Sequence, residues 1–102
     1  MSIFSRVPTV DPSEAHDRGD DVVLLDVREP AEWASGHAPG AVHIPLGELT
    51  IEGLPESEAV YVICRSGNRS GSATKALVGA GIDAFNVAGG MIAWQRSGLP
   101  VV

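Results

Sequence analysis

The sequence predicts an α/β domain built on a mainly parallel central sheet. Short apolar runs alternate with helix-like stretches along the chain, the order that βα repeats produce. Two of the runs, Val22-Val23-Leu24-Leu25 and Ala59-Val60-Tyr61-Val62-Ile63, are almost unbroken, as strands covered on both faces are. Right-handed crossovers then place helices on both sides, giving three layers, α/β/α. Ligands of such sheets bind beyond the carboxyl ends of the strands.

The elements follow in order. Asp11-Pro12-Ser13-Glu14 has the marks of a helix start, with a capping Asp, Pro at the first helical position and Glu at the third. Gly19 ends that helix, and the strand Val22–Leu25 follows. Pro30 to Ser35 is a short helix closed by Gly36. Ala41-Val42-His43-Ile44 is extended up to Pro45, and Leu46 to Leu49 suits one helical turn. Thr50 to Ser57 is a surface loop. After the strand at Ala59–Ile63, Ser70 to Ala80 is predicted helical, with Ala73, Ala76, Leu77 and Ala80 as its apolar face at i, i+3, i+4 and i+7. Gly81 stops it. Ala84 to Val87 is the next strand, Gly89-Gly90 a turn, and Met91 to Ser97 the last helix.

With 102 residues, 44% of them hydrophobic and 20% charged, the chain has the composition of one soluble domain with one core. A formal net charge of −6 speaks against nucleic acid or an anionic membrane as partner. Met1-Ser2-Ile3-Phe4-Ser5-Arg6 lacks the apolar core of a signal peptide, and no stretch approaches the roughly 20 apolar residues of a membrane span, so a cytoplasmic location is expected. The single cysteine excludes an intrachain disulfide, a dithiol redox pair and a thiolate-rich metal site within one chain.

That cysteine is the chemical centre of the sequence. Cys64-Arg65-Ser66-Gly67-Asn68-Arg69 lies between a buried strand and a helix, where backbone N–H groups converge and the helix N-terminus adds positive potential. Thiol pKa values in such settings fall to ~3.5–7.5 from ~8.5. Cys64 is therefore the candidate nucleophile. Arg65 and Arg69 are candidates for an anionic substrate, since guanidinium groups pair well with oxyanions. Ser66, Gly67 and Asn68 are expected to serve through backbone N–H groups, Gly67 by taking a positive φ. Ser70 is expected to cap the helix as a support.

These residues resemble the rhodanese-like domain family. The loop from Cys64 to Ser70 matches a common form of the family's active-site loop. Leu24-Leu25-Asp26-Val27-Arg28-Glu29-Pro30 resembles its first signature, and Gly36-His37-Ala38-Pro39-Gly40-Ala41 with His43-Ile44-Pro45 its second. Asn86, Gly89-Gly90, Trp94 and Gly98-Leu99-Pro100 resemble its closing segment. Signatures cover about residues 21–102, and residues 1–102 are expected to form a single rhodanese-like domain. Two features depart from the pattern: Ala38 replaces a branched aliphatic, and the stretch between Leu49 and Val60 is short, which would leave the rim of the site open.

The resemblance implies a sulfurtransferase. Thiolate Cys64 would take the outer sulfur of a small anionic donor such as thiosulfate and pass it, as a persulfide, to cyanide or to a thiol or protein acceptor. No metal or other cofactor is implied. Four residues separate Cys64 from Arg69, one fewer than in the related phosphatase loops. The smaller ring suits one terminal sulfur, which ranks a phosphatase or arsenate reductase below sulfur transfer. A non-catalytic recognition module of the same fold is the other alternative. Redox sensing ranks lower still, with no second cysteine to resolve an oxidised thiol.

The remaining polar and aromatic residues carry plainer readings. Asp26 and Arg28, at a strand end on the ligand side, are expected to support the site by pairing with each other or with the cysteine loop. His37 and His43, beside Gly, Pro and Ala, fit scaffold roles better than a Cys-His pair. Trp33, Tyr61, Phe85 and Trp94 are packing residues. Asp17 to Asp21 is a solvated turn.

Overall fold

A computed structural model describes residues 7–102. The leader reading of Met1–Arg6 lies outside them. Five strands, β1 (Thr9–Val10), β2 (Val22–Asp26), β3 (Val42–His43), β4 (Ala59–Ile63) and β5 (Ala84–Val87), form one sheet in the order β1-β5-β4-β2-β3. Every pairing is parallel, with Val22 to Asp26 in register with Ala59 to Ile63 at the centre. Among the described residues, four α-helices accompany it, α1 (Pro12–His16), α2 (Pro30–Ala34), α3 (Asn68–Gly79) and α4 (Gly90–Arg96), with a single helical turn at Leu46–Glu48.

The pleat divides the core into two. Leu24, Ile63 and Val87 point to the side covered by α1 and α4, where Ala15, Met91 and Trp94 complete the cluster. Leu25, Val60, Val62 and Ala84 point to the other side, against Ala73 and Leu77 of α3. Successive side chains of a strand alternate faces, which is why an unbroken apolar run feeds both clusters. The three-layer α/β/α architecture with a parallel sheet is the one the sequence predicts. Ala38 is fully buried in the first cluster. Among the described residues, no helix is long and apolar enough to cross a membrane.

Several local expectations need correction. β1, only two residues long, carries no sequence pattern of its own; it adds to the sheet edge by pairing Thr9 with Asn86. Asp11 stands at the N-cap of α1, but its side chain makes no capping bond. α3 begins two residues early, at Asn68, because Gly67 at φ 109° already occupies the N-cap. Ser70 thus lies inside the helix and does not cap it. The buried face of α3 is Ser70, Ala73, Thr74 and Leu77; Ala76 and Ala80 are exposed. Finally, residues 51–58 gather with Asp20 and Asp21 at the amino end of β4, opposite Cys64, so the short segment does not shape the rim of the site.

Candidate active site around Cys64

Cys64 follows directly on β4, and the loop that leaves it returns at once into α3. The side chain is 1% exposed, so the sulfur is recessed within its own loop. Two donors lie within reach of Sγ: the Gly67 N–H at 3.1 Å and the Ser70 hydroxyl at 3.2 Å. Burial pushes the thiol up, but the Ser70 hydroxyl and the backbone N–H groups of Ser70, Gly67 and Ser66 outweigh it. The net direction is below an ordinary cysteine. Of the residues expected to line the sulfur, Ser66 and Gly67 do so through the backbone. Asn68 is exposed, and among the described residues no hydrogen bond joins it to Sγ.

The other edge of the loop is held by α4. Met91 N–H donates to the Cys64 carbonyl at 2.8 Å and Ile92 N–H to the Arg65 carbonyl at 3.0 Å. A Cβ on Gly90, which sits at φ 58°, would overlap both carbonyl oxygens, so only glycine lets α4 approach this closely. The Gly89-Gly90 pair is a close-approach device as well as a turn.

Arg69 reaches away from its loop to α2. Its two terminal nitrogens contact the Glu32 carboxylate at 2.6 and 2.8 Å, a bidentate pair. The Arg69 guanidinium holds the Glu32 carboxyl well down, to about 2, and Glu32 raises Arg69 further in return. Glu32 also accepts the Glu29 N–H in a capping box, which ties the start of α2 to the cysteine loop. Arg65 is exposed and lines a 270 Å³ depression with Arg28, Glu32, Ser35, Met91, Ile92 and Gln95.

Asp26 and Arg28 pair with each other, both buried. Arg28 Nε lies 3.0–3.1 Å from the two Asp26 oxygens and its terminal nitrogen 2.9 Å from one of them. Arg28 also donates to the carbonyls of Glu32 and Gly36, at 3.1 and 2.7 Å, which fastens α2 to the end of β2. His43 Nε2–H donates to the Arg28 carbonyl at 2.8 Å and His37 Nδ1–H to the Trp33 carbonyl at 3.0 Å. The two imidazoles sandwich the Trp33 ring, with interplanar angles of 4° and 7°. Each imidazole is thus held by a backbone carbonyl, and among the described residues neither bonds to the thiol. Asn86, noted in the sequence only as part of the closing segment, bonds to both Ser70 and Gly67. Among the described residues no group of three or more His, Cys, Asp or Glu side chains could hold a metal ion.

Residues 11–97 match the Rhodanese-like domain family. The chain belongs to that family. It is 42% identical over 86 residues to a protein of Allochromatium vinosum named a sulfurtransferase, covering 81% of this chain and 80% of that one. It is 41% identical over 86 residues to an uncharacterized Synechocystis protein, covering 81% of this chain and 48% of that one, so it spans about half the length of that relative. The crystal structure of a rhodanese-related protein from Thermoplasma volcanium superposes with a TM-score of 0.86 at 32% identity, covering 93% of this chain and 97% of that one. The parallel sheet and the cysteine loop at its carboxyl end are thus those of a rhodanese-like domain.

Proposed function

We propose that this rhodanese-like domain is a sulfurtransferase that carries sulfane sulfur as a persulfide on Cys64. The observation behind the reading is the Cys64 sulfur itself: recessed, met by an N–H and a hydroxyl, and held below an ordinary cysteine pKa. A thiolate so placed attacks the outer sulfur of thiosulfate. One S–S bond forms, the bond to the sulfonate sulfur breaks, and sulfite leaves with the electron pair. The product is Cys64–S–S⁻, whose charge sits on the outer sulfur. An acceptor thiolate, or cyanide in an assay, then takes that sulfur and returns the Cys64 thiolate. No base is needed when the nucleophile is already ionised.

Arg65, exposed beside the loop, meets the anionic donor first. Arg69 contributes positive charge next to the sulfur while Glu32 fixes its position. Gly67, Ser66 and Ser70 supply the donors around Sγ, Asn68 opens the helix behind them, and the Asp26–Arg28 pair holds α2 in place. With one cysteine in the chain, the accepting thiol comes from another molecule. Residues 1–102 act as one catalytic domain, in a reducing compartment such as the cytoplasm, where a lone thiol stays reduced.

Intact-protein mass spectrometry before and after thiosulfate tests the reading. A gain of about 32 Da, one sulfur atom, on the wild type and none on Cys64→Ser is expected, reversed by cyanide or a thiol. No gain on a wild type with a free thiol would rule out thiosulfate as donor. Full sulfur transfer by Cys64→Ser would overturn the mechanism. Arg65→Ala is expected to raise KM for thiosulfate about three- to tenfold, the range of one charge-assisted contact, and Arg69→Ala, whose terminal nitrogens Glu32 already holds, by less. An unchanged KM in both would assign the donor to backbone amides alone.

A further inference from the structure

Ser70 stands between two acceptors and has one proton to give. Its Oγ lies 3.2 Å from Cys64 Sγ and 2.6 Å from Asn86 Oδ1, and the residue is fully buried. The orientation of the Asn86 amide is fixed from its other end. Its Nδ2 donates to the Gly67 carbonyl at 3.1 Å, which leaves Oδ1 as the atom facing Ser70. Two oxygens 2.6 Å apart need a proton between them, and an amide oxygen has none. Ser70 therefore donates to Asn86.

A hydroxyl that has given away its proton can meet the sulfur only as an acceptor. The arrangement reads S–H to Oγ, then O–H to Oδ1, and it belongs to the neutral thiol. When Cys64 ionises, the Ser70 O–H must rotate about its Cβ–Oγ bond to reach the thiolate, and Asn86 Oδ1 loses its donor. When the sulfur is loaded, the inner sulfur carries no charge and the proton can return to Asn86.

We propose that Asn86 is a positioning residue that competes with the Cys64 thiolate for the single proton of Ser70. It thereby favours the neutral thiol and the loaded persulfide over the bare thiolate. The role in loading rests on Cys64 being the sulfur carrier; the competition itself rests only on the three side chains. The charged groups on the elements around the thiol are Arg65 and Arg69 of its own loop, Lys75 of α3, Glu29 and Glu32 of α2, Arg96 of α4, and the Asp26–Arg28 pair at the end of β2. The side chains of Asn86 and Ser70 bond to none of them.

The test is a pH titration of thiolate ultraviolet absorbance on the full chain, with Cys64→Ser as blank. Asn86→Ala is expected to move the midpoint to lower pH and raise the thiolate-to-thiol ratio about three- to tenfold, the weight of one hydrogen bond. In a Ser70→Ala background the same change is expected to alter the ratio by less than about twofold, because the contested proton is gone. A midpoint moved to higher pH, or the same displacement in both backgrounds, would overturn the proposal. Should Asn86→Ala not fold, Asn86→Asp keeps the side-chain shape with a stronger acceptor. It is expected to raise the midpoint more with Ser70 present than without it, and equal displacements would overturn the proposal. No sulfur donor enters this titration, so its failure is distinct from a failure of Cys64 to take up sulfur.

Discussion

Two helices begin over the same loop and treat it in opposite ways. α3 starts behind Gly67 and α4 behind Gly89, both glycines at positive φ, 109° and 70°. The start of α3 turns the Gly67 N–H and the Ser70 hydroxyl oxygen toward the Cys64 sulfur. The start of α4 turns the N–H groups of Met91 and Ile92 onto the Cys64 and Arg65 carbonyls. A loop this short has amides on one side and carbonyls on the other. Its amides can converge on sulfur only if its carbonyls find donors elsewhere, since buried peptide groups left unpaired are costly. Activation of the thiol thus depends on a helix whose N–H groups bond the loop's carbonyls and not the sulfur.

Gly90→Ala breaks the α4 side and carries the largest expected effect. The new Cβ would meet two backbone carbonyl oxygens, which cannot rotate away, at a φ that side chains rarely adopt. A loss of at least about 2 kcal/mol in denaturant unfolding is expected. In the protein that remains folded, the thiol should titrate closer to an ordinary cysteine. An unchanged titration would show that the loop holds its shape without α4.

Gly67→Ala breaks the α3 side more gently. Its Cβ would lie 3.6 Å from the Gly89 nitrogen, an ordinary contact, so the cost is conformational, about 1–2 kcal/mol. The loop is expected to relax toward negative φ, weaken the 3.1 Å donation to Sγ and raise the thiol pKa. Equal stability and an equal thiolate absorbance profile would remove Gly67 from the activating side.

Glu32→Gln sharpens the comparison by loosening the loop at a third point. The Glu32 carboxyl is held at about 2, chiefly by Arg69, below its ordinary 4.5. Its depressed value contributes stability that is complete above the unfolded pKa and is lost as pH falls from 4.5 toward 2. Both side chains are partly exposed, so solvent screening leaves the pair about 1 kcal/mol. Wild type is expected to exceed Glu32→Gln by that amount at neutral pH and by nothing near the lower limit. A difference that ignores pH would assign the effect to packing.

The sheet, the order of its helices and the cysteine loop were legible because they rest on local signals: apolar runs, glycines and a cysteine flanked by arginines. What stayed hidden depends on partners distant in sequence. Asn86 looks like any polar residue of an edge-facing strand until folding brings it against Ser70 and Gly67. Glu32 reads as a surface position of a short helix until Arg69 reaches it across 37 residues. On α3, apolar periodicity selected Ala76 and Ala80, yet the buried positions include Ser70 and Thr74. Their hydroxyls are satisfied inside the fold, Thr74 by the Ser70 carbonyl at 2.7 Å and Ser70 by Asn86. Hydropathy alone does not anticipate that. β1 escaped because two residues carry no period.

The buried pair at the end of β2 has a longer reach than its two residues. Asp26, Arg28, Glu32, Arg69 and the Cys64 thiolate form a row of alternating sign from the interior to the sulfur, each member feeling the next. The thiolate is the last rung of that ladder. Neutralising Arg28, Glu32 or Arg69 leaves two like charges as neighbours and passes its effect along the row. On a molecule of net charge −6, this ladder lets one more anion rest, recessed, within an anionic protein. Over longer distances the protein still repels an anionic donor, so added salt should speed capture of thiosulfate, opposite to the usual behaviour of a cationic binding site.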